Sequence, residues 1–172
     1  MIKLNTFALA LAFLLPFATP AQAGEVFGGV YKHAVNTPLS LEGGREQGVD
    51  FQLGYRGNPL FLGVEPYAFG ALNSAGDTSY AAIGVSRKFG DRIFIRPGIG
   101  LAIHNGSAGR FDDPNRIALG NRVLFEPELG IGLRIAPRMT LEASWIHMSQ
   151  GQVFSRQNPG IDNIGAKLSF RL

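Results

Sequence analysis

Apolar and polar residues alternate with a period of two along most of this chain, the signature of strands whose successive side chains point to opposite faces. Residues 49–56 show it cleanly, with Val49, Phe51, Leu53 and Tyr55 on one face and Asp50, Gln52, Gly54 and Arg56 on the other. Beyond the turn Gly57-Asn58-Pro59, Leu62, Val64, Pro66 and Ala68 alternate against Phe61, Gly63, Glu65 and Tyr67. The stretch 78–89 sets Ala81, Ile83 and Val85 against Ala82, Gly84, Ser86 and Lys88. Past Gly90-Asp91, Ile93, Ile95, Pro97, Ile99, Leu101 and Ile103 form a nearly continuous oily face opposite Phe94, Arg96, Gly98, Gly100 and Ala102. A polar loop over 105–115 precedes a sixth strand, where Leu119, Val123, Phe125, Leu129, Ile131, Leu133 and Ile135 oppose Arg122, Glu126, Glu128, Gly130, Gly132 and Arg134. Residues 25–33 form the first strand, its alternation blurred by Gly28 and Gly29.

The last two strands make a hairpin over 139–149 and 162–172. One face of the first carries Met139, Leu141, Ala143, Trp145, His147 and Ser149. The matching face of the second carries Asp162, Ile164, Ala166, Leu168, Phe170 and Leu172. The count is eight strands, with short turns after the second, fourth and sixth and longer loops after the first, third, fifth and seventh. This asymmetry predicts an all-β fold: an eight-stranded antiparallel transmembrane β-barrel with a polar interior, both termini at the short-turn end and the long loops external.

Charge decides which face is inside. Asp50, Arg56, Glu65, Lys88, Arg96, Arg122, Glu126, Glu128, Arg134, Glu142, Lys167 and Arg171 all lie opposite the apolar stripes, with both signs mixed. A soluble lipocalin-like barrel would turn these outward and the oil inward. The small residues Gly54, Gly84, Gly98, Gly100, Gly130 and Gly132 on the charged face suit a crowded interior, and the large aliphatics opposite suit lipid. Eight strands leave room only for side chains, so the interior is expected to be a paired polar plug rather than a pore.

Composition narrows the class further. Lys3, the apolar run 7–18 and Ala21-Gln22-Ala23 read as a secretory signal over 1–23, leaving the barrel over 24–172. The formal charge of +3 among 172 residues is small and its cations are scattered, which argues against nucleic acid as a partner. Cysteine is absent, excluding cystine-rich folds and Cys-based metal sites. No His or carboxylate cluster has metal-ligand spacing, and Asp112-Asp113 reads as solvated loop, so no metal or cofactor is expected.

If the last hairpin is antiparallel, His147, Ser149 and Asp162 meet at its loop end on the apolar side. His147 and Ser149 lie roughly 6.6 Å apart by strand rise, within reach of one another, and Asp162 on the next strand can hold the second ring nitrogen. Polar trim at a membrane interface is the alternative. Against it, all three share the lipid face at the external end, just above Trp145, and polar groups facing lipid are costly. His33 and His104 have no serine and acid beside them and read as structural or solvated.

In His147-Met148-Ser149 and Asn158-Pro159-Gly160-Ile161-Asp162 the chain resembles the lipid A 3-O-deacylases of Gram-negative outer membranes, the PagL family. The segments 94–100 and Leu124-Phe125-Glu126 look like that family's fifth and sixth strands. The resemblance implies a lipid-facing serine esterase that removes the ester-linked acyl chain at the 3-position of lipid A in the cell outer membrane, with Ser149 the nucleophile, His147 the general base and Asp162 the orienting acid. The family usually carries Glu where Asp162 stands and Asn where Gln150 stands. Gln150 inherits a supporting or oxyanion role by position, with Asn158 and the backbone near Gly151 as alternative donors. Lipid A or lipopolysaccharide as substrate and outer-membrane lipid as surroundings follow, and a homodimer stays open. A non-catalytic barrel serving adhesion or envelope integrity, and a soluble periplasmic lipid carrier, are the competing classes.

Overall fold

The structure, a computed structural model, describes residues 24–40, 44–109, 115–151, 153 and 159–172. The expected signal over 1–23, Asp112, Asp113 and Asn158 lie outside the described residues. Eight antiparallel strands make a closed barrel. They are β1 Glu25–Lys32, β2 Val49–Arg56, β3 Val64–Asn73, β4 Tyr80–Arg87, β5 Ile93–His104, β6 Val123–Ala136, β7 Met139–Met148 and β8 Ile161–Arg171. β4 gives way at Lys88 and is continued by Phe89–Gly90, which pairs with Phe94 and Ile95. Each strand pairs with its neighbour in sequence, and β8 returns to β1, from Glu25 opposite Arg171 to Lys32 opposite Ile164. Closure leaves the sheet without an open edge strand, as a lipid surrounding requires.

The alternation sorts side chains as the sequence pattern predicts. Leu53, Ile83, Ile99, Ile131, Leu141 and Ile164 stand outward and exposed, forming the apolar band. Inward lie Arg56, Arg96, Glu126, Glu128, Glu142 and Lys167, each at most 7 % exposed. Five of them are ion-paired, Arg56 with Glu25, Arg96 with Glu65, Lys167 with Glu128, and Glu142 between Arg96 Nε at 3.2 Å and Lys167 Nζ at 3.1 Å, while Glu126 accepts from the Tyr67 hydroxyl. Burying charge is tolerable only with partners this close. Aromatic rings fill the remaining interior, where the Arg56 guanidinium lies 5.0 Å from the Phe27 ring centre and that of Arg96 lies 5.2 Å from Phe94.

The interior glycines make this packing possible. A Cβ on Gly132 would lie 2.2 Å from the Phe94 ring, and one on Gly130 would lie 2.2 Å from Glu142 Oε1. Any side chain at those positions would displace an aromatic filler or a member of the ion network.

Several boundaries differ from the sequence reading. β3 starts at Val64, because Phe61–Gly63 forms a 3₁₀ turn in which Leu62 is left-handed (φ 58°). β6 starts at Val123, so Leu119 and Arg122 belong to the preceding connection, where Arg122 donates to the carbonyls of His104 and Gly106. Arg122, Arg134 and Arg171 are exposed rather than interior. Arg134 and Arg171 belong to β6 and β8 but stand at the short-turn rim, where Arg134 pairs with Asp91.

Glu142 joins two interior cations, and removing it leaves Arg96 to Glu65 and Lys167 to Glu128. Glu142→Ala is expected to destabilise the barrel by about 1–3 kcal/mol, read as a lowered urea midpoint for loss of the compact, heat-modifiable gel band; Leu141→Ala on the outer face is the comparison and should move it far less.

Candidate active site

The β7–β8 ladder sets His147 directly opposite Asp162. Just past the end of β7, a bridge to β6 fixes Ser149: the Phe125 amide donates to the Ser149 carbonyl at 2.8 Å, and the Ser149 amide donates back at 3.1 Å. The three side chains then form one chain of hydrogen bonds. His147 Nδ1 lies 2.8 Å from Asp162 Oδ1, and His147 Nε2 lies 3.0 Å from Ser149 Oγ. An ionised carboxylate only accepts, so Nδ1 carries the proton of the neutral ring and Nε2 presents its lone pair to the serine hydroxyl. Gly160 makes room for this ring, since a Cβ there would lie 2.7 Å from His147 Cε1.

Asp162 is held from more sides than the hairpin alone provides. Trp145 Nε1–H donates to Oδ1 at 2.8 Å, and the Thr37 hydroxyl donates to Oδ2. The sequence reading set the three residues on an open lipid face, yet they are buried, Asp162 fully. The β1–β2 connection covers them: the Val35 amide donates to the Asp162 carbonyl at 2.8 Å, the Ala34 amide to Asn163 Oδ1 at 2.9 Å, and Ser40 Oγ to the Gly160 carbonyl.

That connection is itself anchored. Glu46, buried, accepts from His33 Nε2 at 3.0 Å, from the amide and hydroxyl of Thr78 at 3.1 and 3.0 Å, and from the Ile117 amide at 3.2 Å, tying three long connections together. His33 Nδ1 meets Asp50 Oδ2 at 2.9 Å. Burial opposes an imidazolium there, but the hydrogen bonds and charges of Asp50 and Glu46 outweigh it and push His33 up to about 9. Burial likewise opposes the charged Glu46, but its hydrogen bonds, led by that from His33, hold its carboxyl below the ordinary value. His33 is thus structural, and His104 Nε2 meets the Asn121 carbonyl at 2.7 Å in a similarly structural contact. Glu126 and Glu128 belong to the interior, with Tyr67 donating to Glu126 and Lys167 paired to Glu128. Among the described residues, no group of three His, Cys, Asp or Glu side chains is arranged to hold a metal.

Residues 50–171, a span that contains His147, Ser149 and Asp162, match the family model described as lipid A 3-O-deacylase (PagL). The chain belongs to the lipid A 3-O-deacylase family. Among solved structures it is similar to the outer membrane enzyme PagL, at 21% identity and a TM-score of 0.59, covering 86% of this chain and 99% of that one. It also resembles a de novo designed transmembrane β-barrel (10% identity, TM-score 0.56, covering 88% of this chain and 96% of the design). Neisserial surface protein A is a further likeness (14% identity, TM-score 0.53, covering 87% of this chain and 97% of that one). At these identities the structural likenesses speak to the fold: this is a barrel of the outer-membrane type. No curated protein matches at a significant level.

Within this deacylase-family barrel, the supporting positions are partly described. Gln150 is fully buried beside Ser149. Gly151 is left-handed (φ 61°), in a turn closed by the Val153 amide on the Gln150 carbonyl at 3.1 Å. The Ser149 amide is already used by Phe125, so it is not a free donor toward Oγ chemistry. Sequence reasoning missed Thr37, Gly160 and the second role of Trp145, which it read only as an interfacial marker. Trp145 shares a face with His147 two residues away, a signal that was available; Thr37 lies in an aperiodic loop and offered none.

The His33 clamp gives the long-loop end a pH dependence. A folded value of about 9 against roughly 6.5 unfolded means that its stabilisation is complete below roughly 6.5 and is lost as pH rises through about 9. Amide hydrogen exchange over residues 33–40 and 44–50, corrected for intrinsic rates, should show protection at pH 7 that falls by pH 10, and His33→Gln should abolish the difference.

Proposed function

We propose that this protein hydrolyses the ester-linked acyl chain at the 3-position of lipid A by a serine-esterase mechanism, working from the outer leaflet of the outer membrane. Residues 1–23 act as the secretory signal that sends the barrel there, and the long connections face outward. The observation that carries the reading is the continuous Ser149–His147–Asp162 hydrogen-bond chain at the long-loop end of the apolar face. A site at that height faces the acyl esters that join fatty chains to the sugar headgroup, and the family match supports lipid A as the molecule cleaved.

Ser149 Oγ attacks the ester carbonyl while His147 Nε2 takes its proton, and Asp162 stabilises the imidazolium that forms. Collapse of the tetrahedral intermediate expels the sugar 3-oxygen, which leaves with the proton from His147. The acyl group remains on Ser149. Water entering from the external loops then gives a proton to His147 and its oxygen to the acyl carbon, releasing the fatty acid and restoring the serine. The amide of left-handed Gly151, two residues past the nucleophile, is the donor we assign to the oxyanion, with Gln150 shaping the turn beside it and Asn158 the alternative donor by sequence position. No step calls for a metal or an organic cofactor.

Ser149→Ala should leave a folded, heat-modifiable barrel and lower deacylation by about 10³-fold or more. The readout is the mass spectrum of lipid A from cells expressing each form: loss of one hydroxyacyl group with the parent chain and none with the variant. Deacylation undiminished in Ser149→Ala would overturn the mechanism, and an unaltered spectrum with the parent chain would favour a non-catalytic barrel.

A further inference from the structure

The carboxylate of Asp162 accepts three hydrogen bonds, only one of them from His147. Trp145 shares Oδ1 with the histidine, so the orientation of the carboxylate plane depends on what holds Oδ2. A terminal carboxyl torsion is broad and soft, and an unheld second oxygen lets the first swing off the imidazole. In the structure, Oδ2 is held by Thr37.

We infer that Thr37, in the connection between β1 and β2, is a positioning residue for the reaction, fixing Asp162 so that Oδ1 stays on His147 Nδ1. This rests on the reading of Ser149, His147 and Asp162 as the reacting array. The direction of the Thr37 hydroxyl is settled by its other contacts. Its oxygen accepts the Leu39 amide at 3.1 Å and the Ser40 amide at 3.3 Å, which leaves its single proton for Asp162. The Thr37–Ser40 turn is closed by reciprocal backbone bonds at 3.0 and 3.1 Å.

The β1–β2 connection is also stapled to the start of β8 at Gly160, Asp162 and Asn163. Ser40 reaches the Gly160 carbonyl, Val35 the Asp162 carbonyl, and Ala34, in a left-handed conformation (φ 48°), the Asn163 side chain. Asn163 in turn donates to Tyr80 of β4 at 3.1 Å, so the staple reaches the barrel wall across the interior. A loop added merely to cover the site would not need a hydroxyl aimed at the free oxygen of the acid. The family match begins at residue 50, so this contact comes from a part of the chain that the matched span does not include.

The test uses the full-length protein in detergent micelles with lipid A as substrate, comparing Thr37→Val, Thr37→Ala and Thr37→Ser, with Ser149→Ala in parallel. Both donor-free variants should lower kcat by about 10- to 100-fold with KM within about twofold, while Thr37→Ser, which keeps the hydroxyl, should recover to within about threefold of the parent. Heat-modifiable mobility should be unchanged throughout. A kcat within twofold of the parent in Thr37→Val and Thr37→Ala, alongside an inactive Ser149→Ala, would overturn the role of Thr37 and leave the triad standing. A loss that Thr37→Ser fails to restore, a rise confined to KM, or loss of the folded band in both donor-free variants would assign Thr37 to loop structure and overturn it equally. Activity retained in Ser149→Ala would sink the triad itself and the inference with it.

Discussion

Hydrocarbon offers no hydrogen bonds, and every large feature of this molecule answers to that. The strands close on themselves so that no backbone edge meets lipid. The two-residue period then leaves one face for aliphatic side chains and one for everything that needs a partner. Inside, carboxylates and cations are close enough to satisfy one another, and glycines such as Gly130 and Gly132 yield the volume that Glu142 and Phe94 occupy. Apolar packing and ion pairing share the interior: the Phe27 ring packs against Phe69 and also faces the Arg56 guanidinium, and Phe94 faces Arg96.

The same constraint makes the site legible as chemistry. Histidine, serine and aspartate on the lipid-facing parity of β7 and β8 are tolerated because they satisfy each other and because the β1–β2 connection folds over them. Two buried histidines in this chain show how surroundings divide roles. His33 sits between two carboxylates, is held as a cation and serves as a clamp. His147 has a carboxylate on one nitrogen and a hydroxyl on the other, which leaves it a lone pair to take a proton with. The clamp and the site are neighbours along the chain, since His33 begins the connection whose Thr37 reaches Asp162.

Much of this could be read before any coordinates. Strict alternation exposed the strands and charge on one parity exposed the interior, because both are periodic properties that survive in one dimension, and loop lengths, countable along the chain, exposed the up-and-down order. His147, Ser149 and Asp162 were readable for the same reason: hairpin pairing places them together. The misjudged residues lie where periodicity stops. Arg122 precedes β6, Arg134 and Arg171 lie in the last residues of β6 and β8 at the exposed short-turn rim, and Leu119 belongs to a connection that folds inward. Thr37 and Glu46 act through loops, whose course depends on tertiary contacts such as Ser40 to Gly160 that no local pattern encodes. Trp145 was placed on the correct face, but its indole N–H was invisible to a reading based on hydrophobicity.

That indole has a further consequence. It belongs to the only tryptophan in the chain and is hydrogen-bonded at 2.8 Å to Asp162, whose same oxygen meets His147 Nδ1. Indole emission responds to charge and polarity in its immediate surroundings, and here nothing else in the protein contributes a competing indole signal. The molecule therefore carries a native optical probe beside Asp162 and His147, through which a change in charge or polarity around those two side chains can be followed without any label.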